Sequence, residues 1–208
     1  MTVAPPTSLP AQAPILERAL RTAAIAHRSQ HRKQTDIPYF AHPAAVALLL
    51  ARAGVTDEAT LAAAVLHDVL EDTELTEQVL RREFPAEVVD IVCAASERKL
   101  DEQGNKRPWV DRKRDHVRDI AGASPPARAV VLADKLHNLQ SIAFDLAAGE
   151  PVWDRFNAPR ERILQYHAEM IDAAAGENSE LAALQAAASE VLQQLLNDPE
   201  SETDQDER

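Results

Sequence analysis

Residues 61–72, LAAAVLHDVLED, place four ionisable side chains inside an apolar stretch whose spacing is that of a buried helix. On a continuous helix all four would share one side, because residues three and four apart lie one above the other. They are His67, Asp68, Glu71 and Asp72. Buried imidazoles and carboxylates are costly unless they are paired or bind a metal. The stretch therefore predicts a central helix that carries a polar site.

The rest of the sequence has the composition of a helical globular chain. Of 208 residues, 45% are hydrophobic and 4% aromatic, and glycine occurs only 5 times. This composition favours helices, and no segment alternates as an amphipathic strand does. We therefore predict an all-α fold, built as one helical bundle.

Apolar periodicity and capping signals divide the chain into a series of helices. Pro43 fits the first turn of a helix that ends before Gly54. Thr56 or Asp57 can cap the next helix, which continues through Leu70. The other helices are predicted over about 15–28, 76–84, 86–96, 108–121, 124–146, 159–175 and 179–196. The charged segments 30–40 and 97–107 are predicted as loops.

The two ends of the chain differ in composition from the part between them. Residues 1–13 are rich in proline and alanine without periodicity, and we predict that they are disordered. Residues 198–208, DPESETDQDER, have little to bury and are predicted to form a solvated acidic tail. Residues 14–197 are then the expected domain.

Charge and cysteine content exclude several classes of protein. The net charge is −12, which makes the chain a poor general binder of nucleic acids or anionic membranes. The single cysteine, Cys93, excludes a disulfide framework and suits a reducing cytoplasm. No apolar stretch approaches the ~18 residues of a membrane span, and no secretory signal is visible. We expect a cytoplasmic protein, and if it handles phosphates, it must do so through a few local cations or a metal. The oligomeric state stays open.

Two further residues complete a candidate metal site with His67 and Asp68. His42 precedes a proline at a helix start, and Asp134 stands in the apolar stretch VLADKLHN, residues 131–138. Alone, His42 also fits an ordinary helix start, and Asp134 fits a salt bridge to Lys135 or Arg128. Together, two histidines and two aspartates form a nitrogen and oxygen set suited to Mn²⁺, Fe²⁺ or Zn²⁺. Such a metal lowers the pKa of bound water and supplies hydroxide at neutral pH.

The motifs around these residues are similar to those of a known family. They are HRK at 31–33, IPY at 37–39, AHP at 41–43, LHDVLEDT at 66–73 and LADKLHN at 132–138. Over about residues 15–170 the chain resembles the HD-domain hydrolases of RelA/SpoT-type proteins, especially the single-domain small alarmone hydrolases. The resemblance implies one HD-domain bundle with a central Mn²⁺, or another divalent metal, held by His42, His67, Asp68 and Asp134. It also implies removal of the 3′-pyrophosphate from (p)ppGpp.

The resemblance also implies roles for residues around the metal. Glu71 and Asp72 match an acidic pair that would orient or deprotonate the attacking water. Arg32 and Lys33 match a basic pair at the family's substrate pocket, which suits a phosphate clamp. Asn138 matches a residue that contacts the nucleotide.

A looser match concerns the late helix near residue 160. Arg162 and Tyr166, four residues apart, resemble a basic and aromatic pair that borders the pocket, and Arg160 is an alternative to Arg162. Trp153 and Phe156 are expected in the core. The loop between Lys33 and Pro38 is short and lacks glycine, unlike the longer loop of the bifunctional enzymes, so it offers little to read a base.

Two alternatives to alarmone hydrolysis remain open from the sequence. The same metal and acids would serve a phosphohydrolase of another phosphorylated nucleotide, such as the 2′-phosphate of NADPH. A nucleotide-binding sensor without turnover belongs to a different class, and the complete set of acids and ligands argues against it.

Overall fold

All regular secondary structure is helical in the computed structural model, which describes residues 14–101, 103–175 and 181–198. The α-helices are α1 (Ile15–Ala26), α2 (Ala41–Arg52), α3 (Glu58–Leu66), α4 (Val69–Asp72), α5 (Glu77–Glu83), α6 (Ala86–Ala95), α7 (Trp109–Ala121), α8 (Pro125–Ala147), α9 (Arg160–Ala175) and α10 (Ala182–Leu196). Within these ranges, strand-like pairing is limited to two isolated bridges, His31 with Pro38 and Leu100 with Lys106. The predicted all-α fold is confirmed. The predicted disorder of residues 1–13 and of the tail from 199 lies outside the described residues.

Local signals set most helix boundaries. The Asp57 carboxylate caps α3 by accepting a hydrogen bond of 2.8 Å from the backbone N–H of Thr60. Gly54 follows α2 with a φ of 93°, a left-handed conformation that glycine adopts without strain. Pro125 and Pro126 occupy the first turn of α8, where a missing N–H costs nothing.

The long helix α8 is the centre of the bundle. It packs against α2, α3, α6, α7, α9 and α10. Its side chains Leu132, Leu136 and Leu139 are among the largest that are fully buried, and each such burial contributes about 1.5–3 kcal/mol. One hydrophobic core runs from α1 to α10. Polar groups on the inner face of α8 are therefore fixed inside the protein.

The helix predicted to continue through Leu70 is interrupted, and this part of the prediction is wrong. α3 ends at Leu66 and α4 begins at Val69, so His67 and Asp68 form the junction. The Nδ1 atom of His67 lies 2.8 Å from the carbonyl oxygen of Ala64, the oxygen that the N–H of Asp68 would use in a continuous helix.

Two smaller features complete the description. The connection between α8 and α9 contains a 3₁₀ helix, Val152–Arg155, that the sequence did not predict. Trp153 and Phe156 are partly buried and pack against the core, with ring centroids 6.0 Å apart. None of the described helices is long and apolar enough to cross a membrane.

Candidate metal centre and substrate cavity

Three helices bring His42, His67 and Asp134 together inside the bundle. His42 lies in the first turn of α2, His67 at the α3–α4 junction and Asp134 near the middle of α8, and all three are buried. One ligand atom from each lies within 4.8 Å of the others. The Nε2 atom of His42 is 3.1 Å from Oδ1 of Asp134, and the Nε2 atom of His67 is 3.7 Å from the same oxygen.

Asp68 lies beside this cluster. Its Oδ2 atom is 3.1 Å from Nε2 of His67 and 3.5 Å from Nε2 of His42. The hydroxyl of Tyr39 donates a hydrogen bond of 2.7 Å to the same oxygen. The four residues predicted as ligands thus lie close together. His67 and Asp68, however, belong to a helix junction and not to one face of a continuous helix.

The donor atoms fit a divalent metal ion. Among the described residues, Nε2 of His67 is a buried nitrogen that makes no hydrogen bond, while its Nδ1 is held by Ala64. A backbone contact at Nδ1 leaves a lone pair on Nε2 for a metal. Ligand atoms at about 2.1 Å from a shared ion lie about 3 Å apart when they meet at right angles. The observed spacings between imidazole nitrogens and carboxylate oxygens are of this size.

Burial and charge act against each other in the cluster. Burial tends to raise the pKa of Asp68, but the nearby imidazoles of His67 and His42 hold it well below its usual value. Burial likewise tends to raise the pKa of Asp134, and Lys135 lowers it. The Lys135 ammonium is itself buried and donates a hydrogen bond of 2.7 Å to Oδ2 of Asp134. Both carboxylates are therefore ionised and available to a cation.

Glu71 and Asp72 occupy α4, one turn beyond the junction. Oε1 of Glu71 accepts a hydrogen bond of 2.8 Å from the backbone N–H of Glu97, and the Lys99 ammonium lies near both acids. Burial and the neighbouring Asp68 raise the pKa of Glu71. Glu71 lines the small polar cavity of about 130 Å³ that contains the metal cluster. Asp72 does not line this cavity, but its Oδ2 atom lies 3.2 Å from the hydroxyl oxygen of Tyr39, which does line it.

A larger cavity of about 650 Å³ adjoins the small one. Seven residues line both: Arg32, Tyr39, His42, Lys113, Lys135, Asn138 and Tyr166. Of the predicted substrate contacts, Arg32, Lys33, Asn138 and Tyr166 line the larger cavity. Arg32 donates a hydrogen bond of 3.0 Å to Oδ1 of Asn138, and Nδ2 of Asn138 donates one of 2.6 Å to Oδ1 of Asp134. The cationic wall is thereby connected to the metal cluster.

Of the predicted pair on α9, Tyr166 lines the cavities and Arg162 lies on the surface. Tyr166 is buried, and its hydroxyl lies 3.1 Å from Nδ1 of His116. Arg162 is exposed and outside both cavity linings, with its guanidinium 5.7 Å from the centroid of the Trp109 ring, which does line the larger cavity. Arg160, the alternative, donates to the backbone oxygen of Leu195 and so ties α9 to α10.

Several polar residues at the cavities were missed by the sequence analysis. Lys113 lies between Glu97 and Tyr166, 2.5 Å from a carboxylate oxygen and 4.4 Å from the ring centroid. Burial and the nearby Lys135 lower the pKa of Lys113. Glu97 and Lys99 lie in the loop after α6, and Lys113 lies in α7. Both segments carry many charges, as an ordinary solvated surface does. A sequence signal was available for three others, because the motifs that carry the family resemblance contain Tyr39, Lys135 and His137.

Comparison with known proteins relates the chain to a protein family and to several relatives. A model of the HD domain family matches residues 19–152, which include all four predicted ligands. Guanosine-3′,5′-bis(diphosphate) 3′-pyrophosphohydrolase MESH1 of Mus musculus is 33% identical over 178 residues, covering 85% of this chain and 89% of that protein. The GTP pyrophosphokinase of Streptomyces coelicolor is 40% identical over 131 residues, but these cover only 15% of its length.

Two solved structures share the fold. A metazoan ortholog of SpoT that hydrolyzes ppGpp superposes with a TM-score of 0.71 and 31% sequence identity, covering 90% of this chain and 98% of that one. A protein from Listeria monocytogenes EGD-e gives a TM-score of 0.66 at 29% identity, with coverage of 77% and 97%.

Proposed function

The chain belongs to the HD domain family, and we propose that it is a metal-dependent guanosine-3′,5′-bis(diphosphate) 3′-pyrophosphohydrolase. Its proposed substrates are guanosine or adenosine alarmones. The observation that carries the proposal is the charge of the cavity that adjoins the histidine and aspartate cluster. Its cations are Arg32, Lys33, Lys113, Lys135 and Arg155, and its only acid among the described residues is Asp145. Lys113, Lys135 and Arg155 are paired with Glu97, Asp134 and Asp145, so Arg32 and Lys33 supply the charge that is left for a ligand. In a chain of net charge −12, such a wall suits a ligand with several phosphates. The activity named for the mouse relative and for the metazoan ortholog supports the same substrate.

We propose one Mn²⁺ per chain, held by His42, His67, Asp68 and Asp134, with other divalent metals as possible substitutes. Support comes from the mixed nitrogen and oxygen donors and from the unpaired Nε2 of His67. When bound, the metal neutralises charge on the phosphates and lowers the pKa of a bound water.

We assign the proton transfer to Glu71. Its carboxylate lines the small cavity, and its raised pKa makes it a better base than an ordinary glutamate. A water attacks the phosphorus next to the 3′ oxygen, and its proton passes to Glu71. The bond between that phosphorus and the 3′ oxygen breaks and pyrophosphate leaves. The 3′ oxygen takes up a proton from solvent, and Glu71 releases the proton that it accepted to solvent. Asp72 and Lys99 hold Glu71 and Tyr39 in place through their short contacts.

We assign nucleotide binding to the residues of the larger cavity. Arg32 and Lys33 take phosphate oxygens, and Asn138 positions the ribose beside the metal cluster. Tyr166 forms part of the wall shared by the two cavities. Arg162 serves from the rim, where it can leave the Trp109 ring to meet a phosphate. Residues 14–197 are proposed to act as one domain, since α1 to α10 share a core.

The decisive experiment is incubation of the Mn²⁺-loaded protein with ppGpp, pppApp and NADPH, followed by ion-exchange separation of the products. Release of pyrophosphate from ppGpp is the expected result. Release of orthophosphate from NADPH alone would instead identify a 2′-phosphatase. Binding of all three nucleotides without any product would identify a sensor and overturn the proposal.

A further inference from the structure

His42 and His137 face each other through the same ring atom. Their Nδ1 atoms lie 2.8 Å apart, with ring planes inclined by 44°. His137 lies on α8, one turn beyond Asp134, and lines the larger cavity. The other nitrogen of His42, Nε2, faces Asp134 at 3.1 Å. The two rings therefore connect the metal cluster to the substrate cavity.

A hydrogen bond between two imidazoles fixes the tautomer of both. A neutral imidazole has one N–H and one lone pair. If Nε2 of His42 gives its lone pair to a metal, the proton of His42 sits on Nδ1 and is donated to Nδ1 of His137. His137 must then carry its own proton on Nε2, the nitrogen that remains for the cavity.

We infer that His137 is a positioning residue for His42 and, once a metal is bound, a hydrogen-bond donor to the nucleotide in the larger cavity. The inference rests on the proposed function for its metal and its ligand. A metal-ligating histidine needs a partner at its second nitrogen, and loss of such a partner weakens metal binding by roughly 10- to 100-fold. Here the partner is a side chain that also faces the substrate.

Two substitutions at His137 separate its two contacts. His137→Asn keeps a polar acceptor near the position of Nδ1 but lacks the Nε2–H, whereas His137→Phe keeps the ring and loses both. By calorimetric titration of the metal-free protein, we expect Mn²⁺ to bind roughly 10- to 100-fold more weakly to the Phe variant and near normally to the Asn variant. The Asn variant should raise the KM for ppGpp more than it lowers kcat. Ser141→Ala, in the same cavity wall without contact to His42, is the control for metal affinity.

Nitrogen-15 NMR of histidine-labelled protein gives the second measurement. In the complex with Zn²⁺, which is diamagnetic, the nitrogen-15 shifts should place the His137 proton on Nε2. A His137 proton on Nδ1 in the metal-bound protein, or Mn²⁺ affinity in His137→Phe equal to that of the wild type, would overturn the inference and leave the proposed function standing. Failure of the wild type to bind any divalent metal would overturn both. If the Phe variant does not fold, the wild-type NMR titration and the KM of the Asn variant still decide.

Discussion

The ammonium group of Lys99 lies 3.2 Å from Oε2 of Glu71, although the two residues belong to a loop after α6 and to α4. The same ammonium lies 2.6 Å from Oδ1 of Asp72. One cation from a distant part of the chain thus contacts both Glu71, the proposed base, and Asp72, which is proposed to help hold the site in place. It also stabilises the ionised form of Glu71, because it opposes the effect of burial on the pKa of that carboxyl group.

Substitution of Lys99 by methionine should therefore shift the acidic limb of the pH profile. Without the ammonium the pKa of Glu71 rises further, and the base is protonated at a higher pH than in the wild type. The activity lost at acidic pH should return as the pH is raised. The profile of kcat between pH 5 and 9 tests this, and Arg98→Met, at an exposed neighbour, should leave the profile unchanged. A uniform loss of activity at every pH would contradict the assigned role.

Loss of the Glu71 carboxylate should affect chemistry more than binding. Glu71→Gln keeps the shape of the side chain and removes the base, so we expect kcat to fall by roughly 10²- to 10⁴-fold. Metal content, measured by atomic absorption, should stay near that of the wild type, because Glu71 is not among the proposed ligands. Glu74→Gln, an exposed acid outside both cavity linings, is the matched control. Loss of metal from the Glu71 variant would show that the carboxylate belongs to the metal site instead.

Removal of a proposed ligand should affect metal binding and stability together. Asp68→Ala is expected to weaken Mn²⁺ binding by more than roughly 100-fold and to abolish turnover. In the wild type, free metal at about 1,000 times the Kd would add ~4 kcal/mol to the free energy of unfolding, on the order of 10 °C in Tm. Differential scanning calorimetry with and without a chelator measures this shift. Asp172→Ala, on the exposed side of α9, is the control and should keep the full change in Tm. A change in Tm of the same size in Asp68→Ala would refute the ligand assignment.

The sequence predicted those parts of the molecule that depend on neighbouring residues. Asp57 and Gly54 mark helix ends because a cap and a left-handed turn are local properties. The break at His67 was missed because it depends on a side-chain contact with Ala64 that competes with helix hydrogen bonding. Lys99 and Lys113 were missed for another reason. Each is one of many charged residues in its segment, and only tertiary packing brings it to the cavity.

Stability should fall as the pH drops from about 6.5 to 4, in part through His116. Its Nε2 lies 3.0 Å from the carbonyl oxygen of Ala95, and burial together with Lys135 lowers its pKa from 6.5 to about 4. The unfolded chain therefore takes up a proton in this range that the folded chain does not. The resulting loss is at most about 3 kcal/mol. Urea unfolding at pH 7 and pH 4.5 should show a smaller pH effect in His116→Gln than in the wild type. His31→Gln, at an exposed histidine, should not reduce it.

Selectivity between guanine and adenine should be weak, since neither Asp36 nor Asp145 offers a free carboxylate to a base in the larger cavity. Asp36, the acid of the short loop, is exposed and does not line the cavity, and Asp145 is paired with Arg155. The wall that the small cavity does not share includes the apolar side chains Ile142, Phe144, Val152, Phe156 and Ile163. Strong discrimination requires buried polar groups that the wrong base leaves unpaired.

We therefore expect kcat/KM for ppGpp and ppApp to differ by less than about 100-fold, which is under ~3 kcal/mol. Parallel measurements on the two substrates decide. A larger ratio in either direction would mean that a group such as Gln140 or a freed Asp145 contacts the base edge, and the Gln140→Ala and Asp145→Asn variants would then show which one.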